Sequence, residues 1–388
     1  MINVGDSNIS VYIGDTELTV YAGDVQIYPM NLGTLTGITL DNLTWVTDVS
    51  YEGGTATSAN CSYKVTGHYD SGKSRTLTSK STITGSLVVP ATTAETREMV
   101  GTLTLTATCS GFTATGSVDV YQEAYVIDYS THYLTFKIQE TGNLKWFTSG
   151  NSAYNKTIQY SRDNGATWTS VTSTSANNGT SISVTSGETI LFKGSNSTYG
   201  SSGNKFASFY RSVKYEVEGN IMSLIYGDDF TGKTALSSSY TFLYLFRGTS
   251  TTGPTNAENL VLPATTLKTY CYQRMFYEAF LLVKPPKILP ATTLQSYCYN
   301  DMFAGCRVLT TAPELPAPTL VSNCYSGMMR VCPKLNYVKC LATSGITSTA
   351  LNVWLQQVAS TGTFVKKSGV TWPSGTSGIP SGWTVEEV

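Results

Sequence analysis

The sequence predicts a mainly β, multidomain chain, with β-sandwich modules followed by a solenoid of α/β repeats. Three observations predict it. Apolar and polar residues alternate through more than half of the chain, a unit of 26–27 residues recurs after Leu260, and charge is sparse. Hydrophobic residues make up 41% of the 388, enough for buried cores, while charged residues make up 13%, against about 25% in an average domain. Thr, Tyr, Gly and Asn supply the polarity, and these favour strands and turns. At roughly 100–200 residues per domain, the length implies about two to four domains.

The composition also excludes partners. The net charge is −1, with no basic tract. Nucleic acid is therefore not expected, because phosphate binding needs clustered Lys and Arg. No run approaches the roughly 20 apolar residues that span a bilayer, so no membrane insertion is expected. The opening MINVGDSNISVYIGD lacks the basic and apolar regions of a secretory signal. It reads as folded structure, and if the protein works outside a cell the expectation is a route other than standard secretion.

Residues 1–30 form a miniature repeat. Val4-Gly5-Asp6, Ile13-Gly14-Asp15 and Ala22-Gly23-Asp24 stand nine apart, each followed by a short alternating segment. Gly-Asp suits a tight turn and the alternation a strand. Strands this short need a partner surface. The candidates are a larger assembly, other copies of the chain, or the domain that follows.

Residues 31–125 carry several strand signals punctuated by Gly53-Gly54, Asp70-Ser71-Gly72 and Ser110-Gly111. This suggests an antiparallel sandwich of immunoglobulin type, with Trp45 in its core. Cys61 and Cys109 fall on apolar faces, as two buried thiols or a disulfide across the sandwich. Residues 126–228 read as a second β-domain, with SNSTYGSSGNK from Ser195 as an exposed loop.

Residues 229–345 hold three aligned segments, beginning at Leu260, Ile288 and Leu315, and a degenerate earlier copy from Tyr240. Leu262-Pro263, Leu289-Pro290 and Leu315-Pro316 keep the period, as do Cys271, Cys298 and Cys324. Self-similarity at this period implies a solenoid. Leu267, Cys271, Met275 and Ala279 stand four apart, which predicts one face of a helix about three turns long after each short strand. Residues 346–388 break the pattern. An amphipathic helix from near Ser348, a strand at GTFVKK and a final GIPSGWTVEEV would cap the stack.

Tyr270 and Tyr297 precede the column cysteines and should project off the core face. Tyr272, Tyr299 and Tyr325 follow them and should flank the core. Aromatic columns of this kind either bind glycan rings or pack between repeats. These five tyrosines are the candidate binding residues.

No catalytic constellation accompanies them. Ser161 to Trp168 spell the Asp-box pattern S-x-D-x-G-x-T-W, whose physical content is a hairpin. Asp228-Asp229 are adjacent on a loop, where carboxylates point apart. The two histidines lack triad partners, no Cys-x-x-Cys pair suggests zinc, and no phosphate loop is present. No cofactor, metal or enzymatic activity is expected.

The unit LPATTLxxYCYxxMFxGCxxL, from Leu289 to Leu309, resembles the BspA-like leucine-rich repeats of Bacteroidales surface and phage proteins. The closing CLATSGI…WLQQVASTGTFVKK…GIPSGWTVEEV resembles C-termini of the same group, and GNIMSLIYGDDFTGKTAL, residues 219–236, the junction before such arrays. The Gly-Asp repeat is similar to N-termini of fibre-type virion proteins of crAss-like phages. The resemblance implies a virion fibre, exposed on the particle. Residues 1–30 would dock on another virion protein, and the solenoid would bind a host-surface glycan or protein. It further implies a homo-oligomer, commonly a trimer. A bacterial cell-surface adhesin of the same repeat family is the alternative.

Overall fold

The structure, a computed structural model, describes residues 32–388 except 93, 95–96, 124–126 and 203–204, together with four short strands between Tyr12 and Tyr28. It is mainly β and built from several separate sheets. Two compact units divide the chain, Met1–Ile127 and Asp128–Val388.

In the first unit, two small antiparallel pairs flank two of the three Gly-Asp dipeptides. Ile13 pairs with Thr16, and Ala22 with Val25. The dipeptides themselves, with Val4-Gly5-Asp6, lie outside the described residues.

Two three-stranded antiparallel sheets follow. One orders the strands Leu35–Trp45, Cys61–Tyr69 and Ser74–Thr76; the other orders Phe112–Gln122, Glu98–Cys109 and Thr82–Thr84. Alternation sends Leu103, Leu105, Ala107 and Cys109 inward, against Ile38, Val65, Val120 and the half-buried Leu40. Cys109 pairs with Phe112 across Ser110 and Gly111. Both turn residues have positive φ, 50° and 82°, as a two-residue hairpin matched to strand twist requires. The turn expected at Asp70-Ser71-Gly72 also joins paired strands, Tyr69 donating to Lys73 O at 3.0 Å. Trp45 is not a core residue. It is half-buried at the rim of the cluster, its indole donating to Asp48 Oδ1 at 2.8 Å. A polar partner at the rim satisfies the N–H that a buried indole would have left open. Cys61 and Cys109 are free thiols.

The second unit begins with a seven-stranded sheet. Its path runs Thr169–Thr172, Thr157–Ser161, Thr189–Gly194, Leu134–Ile138, Lys214–Asn220 and Gly253–Asn256, and Leu260–Val261 also pairs with Lys214–Asn220. A four-stranded sheet orders Thr180–Val184, Gly142–Ser149, Lys205–Ser208 and Gly200–Ser201. Aromatic rings fill this core. Phe136 stacks on Tyr215 at 4.1 Å and meets Phe192 and Phe209 at 4.8 and 4.7 Å. The segment from Ser195 is not a free loop. Tyr199 is fully buried, donating to Leu224 O at 2.6 Å, and Gly200–Ser201 joins the second sheet. One tyrosine buried in the core outweighs the polar residues around it.

One hydrophobic core runs on from Leu134 to Trp383, through the repeats. The helices expected in each repeat are absent: among the described residues the only α-helix is the single turn Ser223–Tyr226. Each repeat instead holds a ribbon of overlapping turns. Cys271, Gln273, Met275, Tyr277 and Ala279 each donate to the carbonyl three residues back. The N–H groups between them leave the ribbon. Those of Tyr270, Tyr272, Arg274, Phe276 and Glu278 reach Ser296, Cys298, Asn300, Met302 and Ala304 of the next coil at 2.8–3.3 Å.

The same ladder joins residues 240–248 to the second coil. It also joins 299–305 to 324–330, and 323–331 to 349–356. The degenerate copy from Tyr240 is thus the first coil, and the segment expected as a capping helix near Ser348 is the fifth. The physical reason lies in periodicity. In an α-helix a four-residue step overshoots a turn by about 40°, so Leu267, Cys271, Met275 and Ala279 would drift round its surface. In the ribbon the period is four residues, and all four stay buried at 4% exposure or less.

Every fourth residue takes a positive φ: 58° at Tyr270, 53° at Arg274 and 55° at Glu278. That conformation costs about 1–2 kcal/mol in a non-glycine residue. The inter-coil hydrogen bonds these residues make, each contributing about 1 kcal/mol, offset much of it.

The parallel strands Tyr337–Lys339, which lies between the fourth and fifth coils, and Gly362–Lys366 and Trp383–Glu387, which follow the fifth, form a sheet. The strand expected at GTFVKK is its middle member. Trp354 fixes the fifth coil to this closing segment, its indole donating to Gly378 O at 2.9 Å.

Candidate binding face

The ribbon fixes where the candidate tyrosines go. Residues 271 and 272, then 275 and 276, face the core, while 270, 274 and 278 lie at its margin. Tyr270 and Tyr297 are half-buried and stack at 4.7 Å with planes 16° apart. Tyr240 of the first coil extends the stack, 4.6 Å from Tyr270 with planes 5° apart. Three rings therefore stand in register with the backbone, whose neighbouring strands lie about 4.7–4.9 Å apart. The Tyr270 hydroxyl is held above its ordinary value, first by burial and then by the neighbouring Tyr240 and Tyr297.

Tyr272, Tyr299 and Tyr325, expected to flank the core and offered as binding residues, are buried within it and present no surface to a ligand. They are 0%, 1% and 1% exposed and form a column inside the core. Tyr272 and Tyr299 stack at 5.6 Å, Tyr299 and Tyr325 at 6.0 Å, and Tyr325 and Trp354 at 6.0 Å. Burial raises all three hydroxyls well above their ordinary value. Apolar contact on both faces makes the core their most stable place.

Beside the half-buried ladder, Asp301 is 6% exposed and is held by two arginines of neighbouring coils. Arg274 Nε donates to its Oδ2 at 3.0 Å and Arg330 Nε to its Oδ1 at 2.7 Å. A Cβ at residue 327 would stand 2.3 Å from Asp301 Oδ1, so Gly327 makes room for the carboxylate. Sequence reasoning missed these residues. The available signal was Arg274 and Asp301 at the repeat spacing of 27, on the position four beyond Tyr270 and Tyr297.

The other motifs resolve as structure. In the Asp-box, Asp163 accepts from the N–H and hydroxyl of Thr167 at 2.9 and 2.6 Å, and Ser161 Oγ accepts from Gly165 N–H at 2.9 Å. These bonds, the Thr167 hydroxyl first, draw the Asp163 carboxyl down to about 2. The box lies between the paired strands Thr157–Ser161 and Thr169–Thr172. Trp168 packs edge-on to Tyr133 at 5.1 Å.

Asp228 accepts from Lys193 Nζ and Tyr133 Oη, each at 2.7 Å. Lys193, then Tyr133, holds its carboxyl below the ordinary value, while burial, then Asp228, pushes the Tyr133 hydroxyl up to about 12. The carboxylate is thus engaged in an ion pair.

Among the described residues no three His, Cys, Asp or Glu side chains come together as a metal site would require. No helix among them is long and apolar enough to cross a membrane. Comparison with protein-family models, curated proteins and solved structures finds no match to this chain.

Proposed function

We propose that the chain is a fibre-type phage virion appendage that binds a host surface, without covalent chemistry, through its stacked repeats. The observation that carries this reading is the ladder of half-buried tyrosines, Tyr240, Tyr270 and Tyr297, held at a fixed pitch along one margin of the stack. Rings displayed this way offer aromatic surface and hydroxyl hydrogen bonds to a glycan or protein at low entropic cost.

In this reading the coils form a leucine-rich-repeat solenoid. Support comes from the inter-coil ladder and from Leu262, Leu289 and Leu315 in its core. The sandwich of residues 31–125 is an immunoglobulin-type spacer, and residues 1–30 dock on the virion as part of a homo-oligomer. The short hairpins flanking Gly14-Asp15 and Gly23-Asp24 suit a segment completed by a partner.

The test is binding of the fluorescently labelled full chain to gut Bacteroidales cells by flow cytometry. A Tyr270→Ser/Tyr297→Ser variant is expected to bind at least about 10-fold more weakly while its unfolding free energy stays within about 1 kcal/mol. Undiminished binding by that variant would sink the reading. Light scattering on the chain with and without residues 1–30 separates the two settings. A multimer lost on truncation supports the fibre, and a monomer in both favours a cell-surface adhesin.

A further inference from the structure

The chain contains eight arginines, and five of them, Arg211, Arg247, Arg274, Arg307 and Arg330, gather along one side of the coils and the sheet beside them. Direct contacts connect four of them. Arg211 and Arg247 share the Tyr210 ring, at 5.1 and 4.7 Å, while Arg247 and Arg274 share Tyr244 and Tyr277 at 5.5–5.7 Å. Arg330 joins through Asp301. Arg307 lies 4.3 Å over Phe280, beside the coil that carries Glu278. Tyr244 packs in one cluster with Tyr240, so the arginines adjoin the tyrosine ladder.

Among the described residues, the carboxylates paired with these guanidinium groups are Glu278, 2.8 Å from Arg247, and Asp301. The face therefore keeps an excess of positive charge on a chain whose net charge is −1. Four of the five guanidinium groups lie against aromatic rings. This holds the planar forks in place. Arg247 and Arg274 are engaged by Glu278 and Asp301, and Arg211 Nη1 donates to Asn178 Oδ1 at 2.8 Å, while the exposed Arg211 and Arg307 can still present donors to carboxylate or phosphate oxygens. Little side-chain entropy is then lost on binding.

We infer that this arginine–aromatic face binds an acidic polysaccharide, through the carboxylate or phosphate groups carried along its chain. The inference rests on the reading of the stack as a host-binding surface and specifies its ligand. Flat aromatic surface beside fixed guanidinium groups suits sugar rings that carry anionic substituents. A neutral glycan would leave this excess of positive charge unmatched.

The experiment uses the full chain and three immobilised probes in biolayer interferometry: polygalacturonate, neutral dextran and single-stranded poly-dT. Expected are binding to polygalacturonate that weakens at least tenfold between 0.05 and 0.5 M salt (about the range over which screening tightens severalfold), and none to dextran. Arg211→Gln/Arg307→Gln, two exposed positions outside the Asp301 cluster, is expected to weaken binding at least tenfold with an unchanged melting curve. Equal binding to poly-dT would reduce the face to a general polyanion patch and overturn the inference. Binding to dextran, or polygalacturonate binding indifferent to the double variant, would do the same. Failure here with cell binding intact would leave the host-binding reading standing. Polygalacturonate binding by a chain that ignores cells would sink that reading alone.

Discussion

Tyr270 and Tyr272 sit two residues apart in one coil and belong to different worlds. Tyr272 has no exposed surface and stacks between Phe242 and Tyr299, each 5.6 Å away. Tyr270 is half-buried and stacks between Tyr240 and Tyr297 at 4.6 and 4.7 Å. Both columns obey the same coil-to-coil ladder. Their difference therefore comes from position in the four-residue turn, where the left-handed residue turns its side chain to the margin and the residue two later turns inward. Composition does not separate a stabilising tyrosine from a displayed one; the phase of the turn does.

Removal of one buried ring is the sharpest way to break that contrast. Tyr299→Ala should cost about 3–5 kcal/mol, the range for deleting a large core aromatic, read by urea unfolding followed by circular dichroism. A loss below about 1 kcal/mol would put Tyr299 with the displayed column.

Alkaline titration probes the same core through its thiols. Burial lifts Cys271, Cys332 and Cys340 from 9.0 to about 12. Their folded-state values are raised, so their contribution is fully present below pH 9 and is lost as pH climbs from 9 towards 12. Between pH 9 and 10 each thiol should forfeit about 1 kcal/mol, seen as a falling urea midpoint. A midpoint flat to pH 10.5 would mean that these thiols are not buried as described.

The smallest effect is the most local. The Tyr272 hydroxyl is buried without a hydrogen-bond partner, so Tyr272→Phe should stabilise the chain by about 1 kcal/mol. A loss of that size would reveal a partner for the hydroxyl.

Much of this was legible beforehand, for reasons that particular residues make plain. Leu262, Leu289 and Leu315 announced the repeat, and the alternation around Leu103 and Leu105 announced the antiparallel sheets of the first unit. Spacing of four at Cys271, Met275 and Ala279 placed them correctly on one buried face, yet fitted a helix as well as a turn ribbon. What decides between the two is the positive φ at Tyr270, Arg274 and Glu278. None of these is glycine, so no residue type marked them. Tyr199 was hidden among Ser, Gly and Asn, and its burial depends on a contact with Leu224, 25 residues away. The arginine face was invisible for a similar cause. Its members are scattered from 211 to 330, and only the coil register brings Arg274 and Arg330 onto one carboxylate.

The ladder that spends every second N–H on the next coil has a further consequence. It sets the distance between displayed rings by backbone geometry, so substitutions can change what a rung carries but not how far apart the rungs stand. If the stack binds a ligand as proposed, reach along it would grow only by whole coils, each adding one rung. In the proposed host-binding role valency would be counted rather than tuned, and duplicating a 26–27-residue unit would change avidity in steps while keeping the coil-to-coil ladder.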